Sequence, residues 1–280
     1  IIVDDANSDV TLNFNGFKTD GNITDAESGN TTTNYIWFKA GKLSIKGKAE
    51  FNNIRINNGQ IFGDLIDEGY VYYDEDGNLI GTHKCQNSFT NGNTYIVDLH
   101  VNHTFNEKGE PCSECMAKPT IKITEEGVGS HYLSDIEEAL AEMGYGYDKN
   151  ITLTLLDDMK TDEYLSISGQ NNVTIDFSKY TLSCRGLDVG AKKVNLNATT
   201  GGVKSLYQTL QIWKTEEGVF INGGTYISEF SSVVICSSDA IAKISSGTFI
   251  SNEDAAVISC IQGVGSIINQ GNVWTDEEGN

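Results

Sequence analysis

A periodic string dominates the second half of the chain. Aligned on alternating apolar residues, Ile151-Thr-Leu-Thr-Leu155, Val173-Thr-Ile-Asp-Phe177, Val194-Asn-Leu-Asn-Ala198, Val219-Phe-Ile-Asn-Gly223, Ala242-Lys-Ile-Ser-Ser246 and Ser266-Ile-Ile-Asn-Gln270 begin 22, 21, 25, 23 and 24 residues apart. The last three share a tail: Ile221-x-x-Gly-x-Tyr226-Ile, Ile244-x-x-Gly-x-Phe249-Ile and Ile268-x-x-Gly-x-Val273-Trp. Alternation at period two is a strand signal, and a fixed repeat of this length is the mark of a solenoid. A single rung is too short to bury its apolar side. Rungs stacked about 4.8 Å apart bury a continuous ladder of Val, Ile and Leu. The repeat therefore predicts an all-β chain coiled as a parallel β-solenoid. Val233-Val-Ile-Cys236 and Val257-Ile-Ser-Cys260 are offset by 24 residues, one rung, so Cys236 and Cys260 read as stacked interior thiols rather than catalytic groups.

The segment before the array has a different period. Leu133, Ile136, Leu140 and Met143 fall at helical spacing, with Ser134 and Asp135 as candidate caps and Gly144 past the end. This predicts one amphipathic helix over about 132–143, able to plug the open end of the core and cover the first edge strand. The first 80 residues look like a partial second copy. Val10-Thr-Leu-Asn-Phe14 repeats Val173-Thr-Ile-Asp-Phe177 almost residue for residue, and Leu43-Ser-Ile-Lys-Gly47 and Ile54-Arg-Ile-Asn-Asn-Gly59 echo the strand-then-glycine pattern. Residues 18–34 then form a polar loop. The Asp-Gly turn inside Tyr70-Val-Tyr-Tyr-Asp-Glu-Asp-Gly-Asn-Leu-Ile80 predicts a hairpin closing this first coil.

The rungs Asn150-Ile-Thr-Leu-Thr-Leu-Leu-Asp-Asp, Leu165-Ser-Ile-Ser-Gly-Gln-Asn-Asn-Val-Thr-Ile-Asp-Phe and Tyr180-Thr-Leu-Ser resemble the opening coils of pectin-lyase-like right-handed parallel β-helices. The rung ends Ile221–Ile227 and Ile244–Ile250 are similar to those of large modular surface proteins of gut Clostridia and related Firmicutes. The resemblance covers roughly residues 119–280 well and 1–82 more weakly. It implies a right-handed β-helix with an N-terminal cap and an extracellular, secreted or wall-attached setting. Its bearing on activity is small, because one fold hosts many functions.

Between the blocks lies a Cys/His-rich insert: His83 and Cys85, then His100 and His103, then Cys112-Ser-Glu-Cys115, with the chain's two prolines, Pro111 and Pro119, flanking the last pair. Zinc takes four N or S ligands tetrahedrally, and a Cys-x-x-Cys turn brings two thiolates to one ion. Two further ligands must come from Cys85, His100, His103 or His83. The set chosen here is Cys85, His103, Cys112 and Cys115, holding a structural zinc that staples a linker with little core of its own. The spacing of His103 to the cysteine pair resembles a short module recurring between repeats of the same surface proteins. In an oxidising setting the alternatives are a Cys112–Cys115 disulfide, a pairing of Cys85 with one of them, or free thiols. The expected organisation is a partial β-helix block at 1–82, the insert at 83–118, and a capped β-helix at 119–280.

With 39 acidic residues against 19 Lys+Arg, the net charge is −20. Such a surface repels phosphate backbones, which excludes nucleic-acid partners and disfavours polyanions and anionic membranes. The longest apolar runs fall far short of the roughly 20 residues that span a bilayer, so no membrane insertion is expected in this segment. The chain opens in an apolar stretch, Ile1-Ile2-Val3, without Met, which suggests part of something longer. β-Helix lyases typically use Arg or Lys as base on a uronate; this chain has only two arginines, Arg55 and Arg185, and a surface that repels polyuronates. Hydrolysis needs two carboxylates about 5–9.5 Å apart. The candidates Asp157, Asp158, Asp176 and Asp188 read as turn or strand-surface residues. The run Asp74-Glu-Asp-Gly-Asn78 reads as a hairpin turn rather than a calcium loop, because Cys85 stands where the twelfth-position Glu belongs. The expected role is a non-catalytic adhesive or carbohydrate-contacting stalk facing host or dietary glycans or host surface proteins. A β-helix polysaccharide lyase or glycoside hydrolase is the enzyme alternative, and a structural spacer the third. Trp37, Trp213, Trp274, Tyr145 and Tyr147 are the available sugar-stacking platforms.

Overall fold

A computed structural model describes residues 2–3, 5–13, 22–24, 31–33, 36–38, 41–52, 54–56, 65–83, 94–213, 215–237, 239–252, 257–260 and 266–269. The chain divides into two compact units, one of residues 1–105 with 110–118, the other of 106–109 with 119–280.

The second unit is the parallel β-solenoid that the repeat demands. Its strands recur in threes. One face stacks Tyr147–Leu155, Gln170–Ser178, Lys193–Ala198, the start of Gly218–Ser228, the start of Ile241–Ser251, and Ser266–Asn269. A second stacks Met159–Lys160, Thr181–Cys184, Gly202–Ser205 and the ends of the two long strands. The third stacks Tyr164–Ile167, Gly186–Val189, Leu210–Ile212, Val234–Cys236 and Ile258–Cys260. Leu153, Ile175, Leu196, Ile221 and Ile244 lie in register on successive coils and are all buried, as are Leu165, Leu187, Leu210 and Val234 on the third face. These ladders form one continuous core, so each coil's apolar side is removed from water only by the coils above and below it. The alternate positions carry polar residues outward, as where Asn222 Nδ2 donates to Asn197 Oδ1 of the preceding coil at 2.9 Å.

The sequence register holds from Ile151 through Val173, Val194 and Val219 to Ala242. It slips at the last pairing, where Ala242 meets Ile267 rather than Ser266. Adjacent Ile267 and Ile268 offer an apolar residue in either phase, so alternation cannot choose between them. Cys236 pairs in register with Cys260 and is itself fully buried, as expected of an interior thiol, while the side chain of Cys260 lies outside the described residues. The third shared tail, at Gly271 to Trp274, lies outside the described residues.

The N-terminal cap departs from expectation in two ways. The helix runs Ile136–Met143, shorter than 132–143, because Tyr132 and Leu133 belong to the strand Gly129–Leu133. Asp135 is its N-cap, accepting from the N–H groups of Glu137 and Glu138. The first edge strand is covered not by the helix but by an antiparallel hairpin: Ile121–Glu125 pairs with Gly129–Leu133 on one side and with Ile151–Leu155 on the other. The helix buries Ile136, Ala139, Leu140 and Met143 in the solenoid core. Edge and core end are thus closed by separate elements, since a helix has no backbone groups to offer an open strand.

Asn171 joins the cap to the coils. Fully buried, it donates from Nδ2 to the carbonyls of Met143 and Tyr145, both at 2.9 Å, and accepts the Lys149 N–H at 3.1 Å. Asn171→Ala strands these three backbone groups and is expected to cost about 3–5 kcal/mol in urea unfolding. A loss under about 1 kcal/mol would show that other partners replace the amide.

In the first unit, Asp9–Asn13 pairs in parallel with Lys42–Lys46, placing Val10 beside Leu43 and Leu12 beside Ile45. Ile36–Phe38 pairs in parallel with Ile2–Val3 and with Ile54–Ile56. Within 18–34, Asn22–Thr24 and Thr31–Thr33 form a short antiparallel ladder rather than a plain loop. The Tyr70–Tyr73/Leu79–Gly81 hairpin is present, turning at Asp74–Asn78. It does not simply close a coil. Thr94–Leu99 pairs antiparallel with Tyr70–Tyr73 on one side and Ala49–Asn52 on the other, making a four-stranded sheet. Leu43, Ile45, Leu65, Tyr72, Tyr95 and Val97 pack its core.

Candidate metal centre

The four-stranded sheet brings distant chemistry together. Thr94–Leu99 delivers His100 beside the turn before Tyr70, where the His100 N–H donates to Gly69 O at 2.8 Å, and the Gly69 N–H donates to Cys115 O at 2.8 Å. The Cys112–Cys115 turn closes on itself: Met116, at φ 63°, turns the chain back so that its N–H reaches Cys112 O, while the Cys112 N–H reaches Ala117 O, both at 2.9 Å. Cys112 and Cys115 are fully buried with Val71, packed by Tyr73, Phe105 and Ala117.

His100, His103, Cys112 and Cys115 each offer one ligand atom, and all four atoms lie within 4.8 Å of one another. Cys115 Sγ is 3.2 Å from His103 Nδ1, and Cys112 Sγ is 3.7 Å from His100 Nδ1. Zinc–ligand bonds of about 2.0–2.3 Å at tetrahedral angles separate ligand atoms by about 3.3–3.8 Å. The group therefore has the donor set and the dimensions for a metal ion.

The electrostatics divide the two thiols. Burial disfavours the Cys112 thiolate, but the N–H groups of Cys115, Glu114 and Thr104 directed at the sulfur hold its pKa below the ordinary thiol value. Burial pushes Cys115 up to about 11, with its neighbour Cys112 adding to the rise. Burial and the nearby His100 keep His103 below its usual value, favouring the neutral ring that ligates. His100 Nε2 lies 2.8 Å from Glu114 Oε2, and the His103 ring stacks on Phe105 at 5.8 Å.

Of the expected ligand set, His103, Cys112 and Cys115 come together, and Cys85 lies outside the described residues. The fourth position in the described group belongs to His100. His83 is a structural peg: its Nε2 sits 2.8 Å from Asp67 O, and its N–H donates to Glu114 O. Cys112 and Cys115 carry free thiols rather than a mutual disulfide.

The candidate catalytic carboxylates are spent on local structure. Asp157 accepts the Asp158 N–H, Asp158 accepts the Thr181 N–H of the next coil, and Asp176 accepts both N–H and Oγ–H of Ser178, whose φ of 51° it steadies. Burial raises the pKa of Asp188, and a hydrogen bond from Trp213 opposes the rise. In the Asp74 turn, the side chain and N–H of Asn78 and the N–H of Asp76 hold the Asp74 carboxyl low, a self-contained hairpin turn.

The platforms named from sequence scatter. Trp213, Tyr145 and Tyr147 are exposed, with Tyr145 lining a cleft of about 680 Å³ beside the capping hairpin. The side chain of Trp37, and all of Trp274, lie outside the described residues. A different set aligns along the solenoid. Tyr164, Tyr207 and Phe230, 51%, 41% and 57% exposed, follow one another at ring separations of 6.1 and 6.4 Å. Gly186 interrupts the row on the intervening coil, and the Tyr164 ring lies over it, within 2.8 Å of where a Cβ would stand. Beside the row runs a groove of about 410 Å³ lined by Lys160, Asp162, Ser183, Lys204 and Glu229, among others. The spacing 164, 186, 207, 230 follows the coil period and is the signal by which the repeat itself marks this row.

The chain matches no protein-family profile, no curated protein and no solved structure. Among the described residues no helix is long and apolar enough to cross a membrane.

Proposed function

We propose that this chain is a non-catalytic, carbohydrate-contacting segment of an extracellular bacterial surface protein, built as a pectin-lyase-like β-helix and stapled by structural zinc. The observation that carries the contact reading is the exposed row Tyr164, Tyr207 and Phe230. Exposed rings in a line are a poor choice for a mere spacer, which gains nothing from apolar surface in water. Sugar faces stack on such rings, and the groove beside them supplies hydrogen-bond donors and acceptors of both signs. The net charge of −20 selects against polyanionic glycans. Catalysis finds less support, since the candidate carboxylates are each engaged within a turn or with Trp213.

The test is retention on immobilised neutral host and plant polysaccharides, with mass spectrometry of the eluate for new oligosaccharide ends. Retention is expected, and Tyr207→Ala should weaken it about tenfold, the loss typical of a central aromatic contact. Equal passage of parent and variant through every column would leave a spacer. Released oligosaccharides would establish the enzyme alternative.

Zinc is the metal this donor set favours, because two thiolates with two imidazoles suit its tetrahedral preference. Four protein ligands leave no open position for water, which makes the role structural.

A further inference from the structure

We infer that Glu114 is the positioning carboxylate of the metal centre: it takes the Nε2–H of His100 and so turns Nδ1 to the ion. The inference rests on the zinc reading above. A neutral imidazole carries one N–H and one lone pair, and the partner of one nitrogen decides what the other can do. His100 is 7% exposed, with Nε2 2.8 Å from Glu114 Oε2 and Nδ1 3.7 Å from Cys112 Sγ. A carboxylate at Nε2 calls for the proton there, which leaves the lone pair on the sulfur-facing nitrogen. The same arrangement raises the donor strength of the ring once a cation is bound.

Glu114 is itself held on both sides. Its N–H points at the Cys112 sulfur, and its carbonyl accepts the His83 N–H at 2.8 Å, while the His83 ring is fixed at 2.8 Å from Asp67 O. One of the two residues inside the Cys-x-x-Cys turn thus braces a thiolate, a docking strand end and a ligating imidazole at once. His103 has a different support, the stacked ring of Phe105.

The experiment uses the whole chain and zinc alone. Affinity is read by competition with a chromophoric chelator for the parent, Glu114→Ala and Glu114→Gln, and the ring nitrogens of His100 are read by ¹H–¹⁵N correlation in the zinc-loaded parent. Glu114→Ala is expected to weaken zinc about 10–100-fold. Glu114→Gln, whose amide oxygen still accepts, should fall between it and the parent. The parent spectrum should show a protonated Nε2 and a metal-bound Nδ1. Parent-like affinity in Glu114→Ala, or metal on Nε2, overturns the assignment while leaving the zinc reading intact. A parent that takes up no zinc overturns both. The ring-nitrogen measurement needs no variant and so decides the matter even where Glu114→Ala fails to fold.

Discussion

Stripping the metal, or replacing either knuckle cysteine by serine, will unfold the first unit and leave the solenoid standing. Among the described residues the unit's interior comprises one cluster around Leu43, Ile45, Tyr72 and Val97, and a second consisting of Val71, Cys112 and Cys115 with the rings that flank them. The second cluster holds both cysteines of the candidate metal group. Structural zinc contributes about 10–16 kcal/mol in small domains, as much as the whole stability of an ordinary one. Without the ion, two buried sulfurs and two imidazoles converge with nothing between them. The bonds that dock the turn, Gly69 N–H to Cys115 O and His83 N–H to Glu114 O, then lose the element that holds their partners. Hydrogen exchange after chelation, or in Cys112→Ser, should show protection lost at Tyr70–Tyr73 and Thr94–Leu99. The coils from Tyr147 to Ser251, with their own continuous core, should keep theirs. Unchanged exchange at Tyr70–Tyr73 would mean that the sheet holds without the ion and the staple reading fails.

The parts of this molecule that were legible in its sequence are those where one local rule acts repeatedly. Each coil must place apolar residues inward at period two and return above itself after one circuit, so Ile151, Val173, Val194, Val219 and Ala242 announce their own stacking. Where that rule offers two answers, as at Ile267-Ile268, the register could not be read. The capping hairpin was missed because the helical spacing of Leu133 and Ile136 straddles a strand and a helix; the signal was the Gly127-Val-Gly129 turn between Ile121-x-Ile123 and Tyr132. The Cys-x-x-Cys turn of the candidate group was legible because its two cysteines are neighbours in sequence. The presence of His100 in that group was not. His100 reaches the cysteines only because Thr94–Leu99 pairs with Tyr70–Tyr73, a non-local pairing that no spacing between His100 and Cys112 encodes. Glu114 was equally hidden, being one acidic residue among many until His100 is placed beside it. The ring row escaped notice for another reason: Tyr207 and Phe230 lie at corners between strands and Tyr164 at the first residue of its strand, where alternation gives no signal and only the coil period continues.

That period makes a second large effect predictable, at Gly202. It stands at φ 154° in register with Thr225 of the next coil, and a Cβ built there would lie 2.0 Å from Thr225 O and 2.8 Å from its N. Both atoms are backbone, so no side chain can swing aside. A methyl group must push the two coils apart, and with them the buried pairs Val203–Tyr226 and Leu196–Ile221 that lie on the same interface. Gly202→Ala should therefore cost more than about 4 kcal/mol, among the largest single-residue effects. In a solenoid each coil leans only on its neighbours, so the damage should be directional. Coils from Tyr147 to Val189 remain capped by the helix and hairpin and should stay protected from hydrogen exchange, whereas Gly218–Ser228 and Ile241–Ser251 lose their foundation and should exchange freely. Gly190→Ala is the matched control. A Cβ there finds Trp213 Cβ at 3.5 Å, ordinary contact, and the change should be close to neutral. If Gly202→Ala kept parent-like protection on both sides of position 202, the coils would not be stacked on one another there as closely as their register requires.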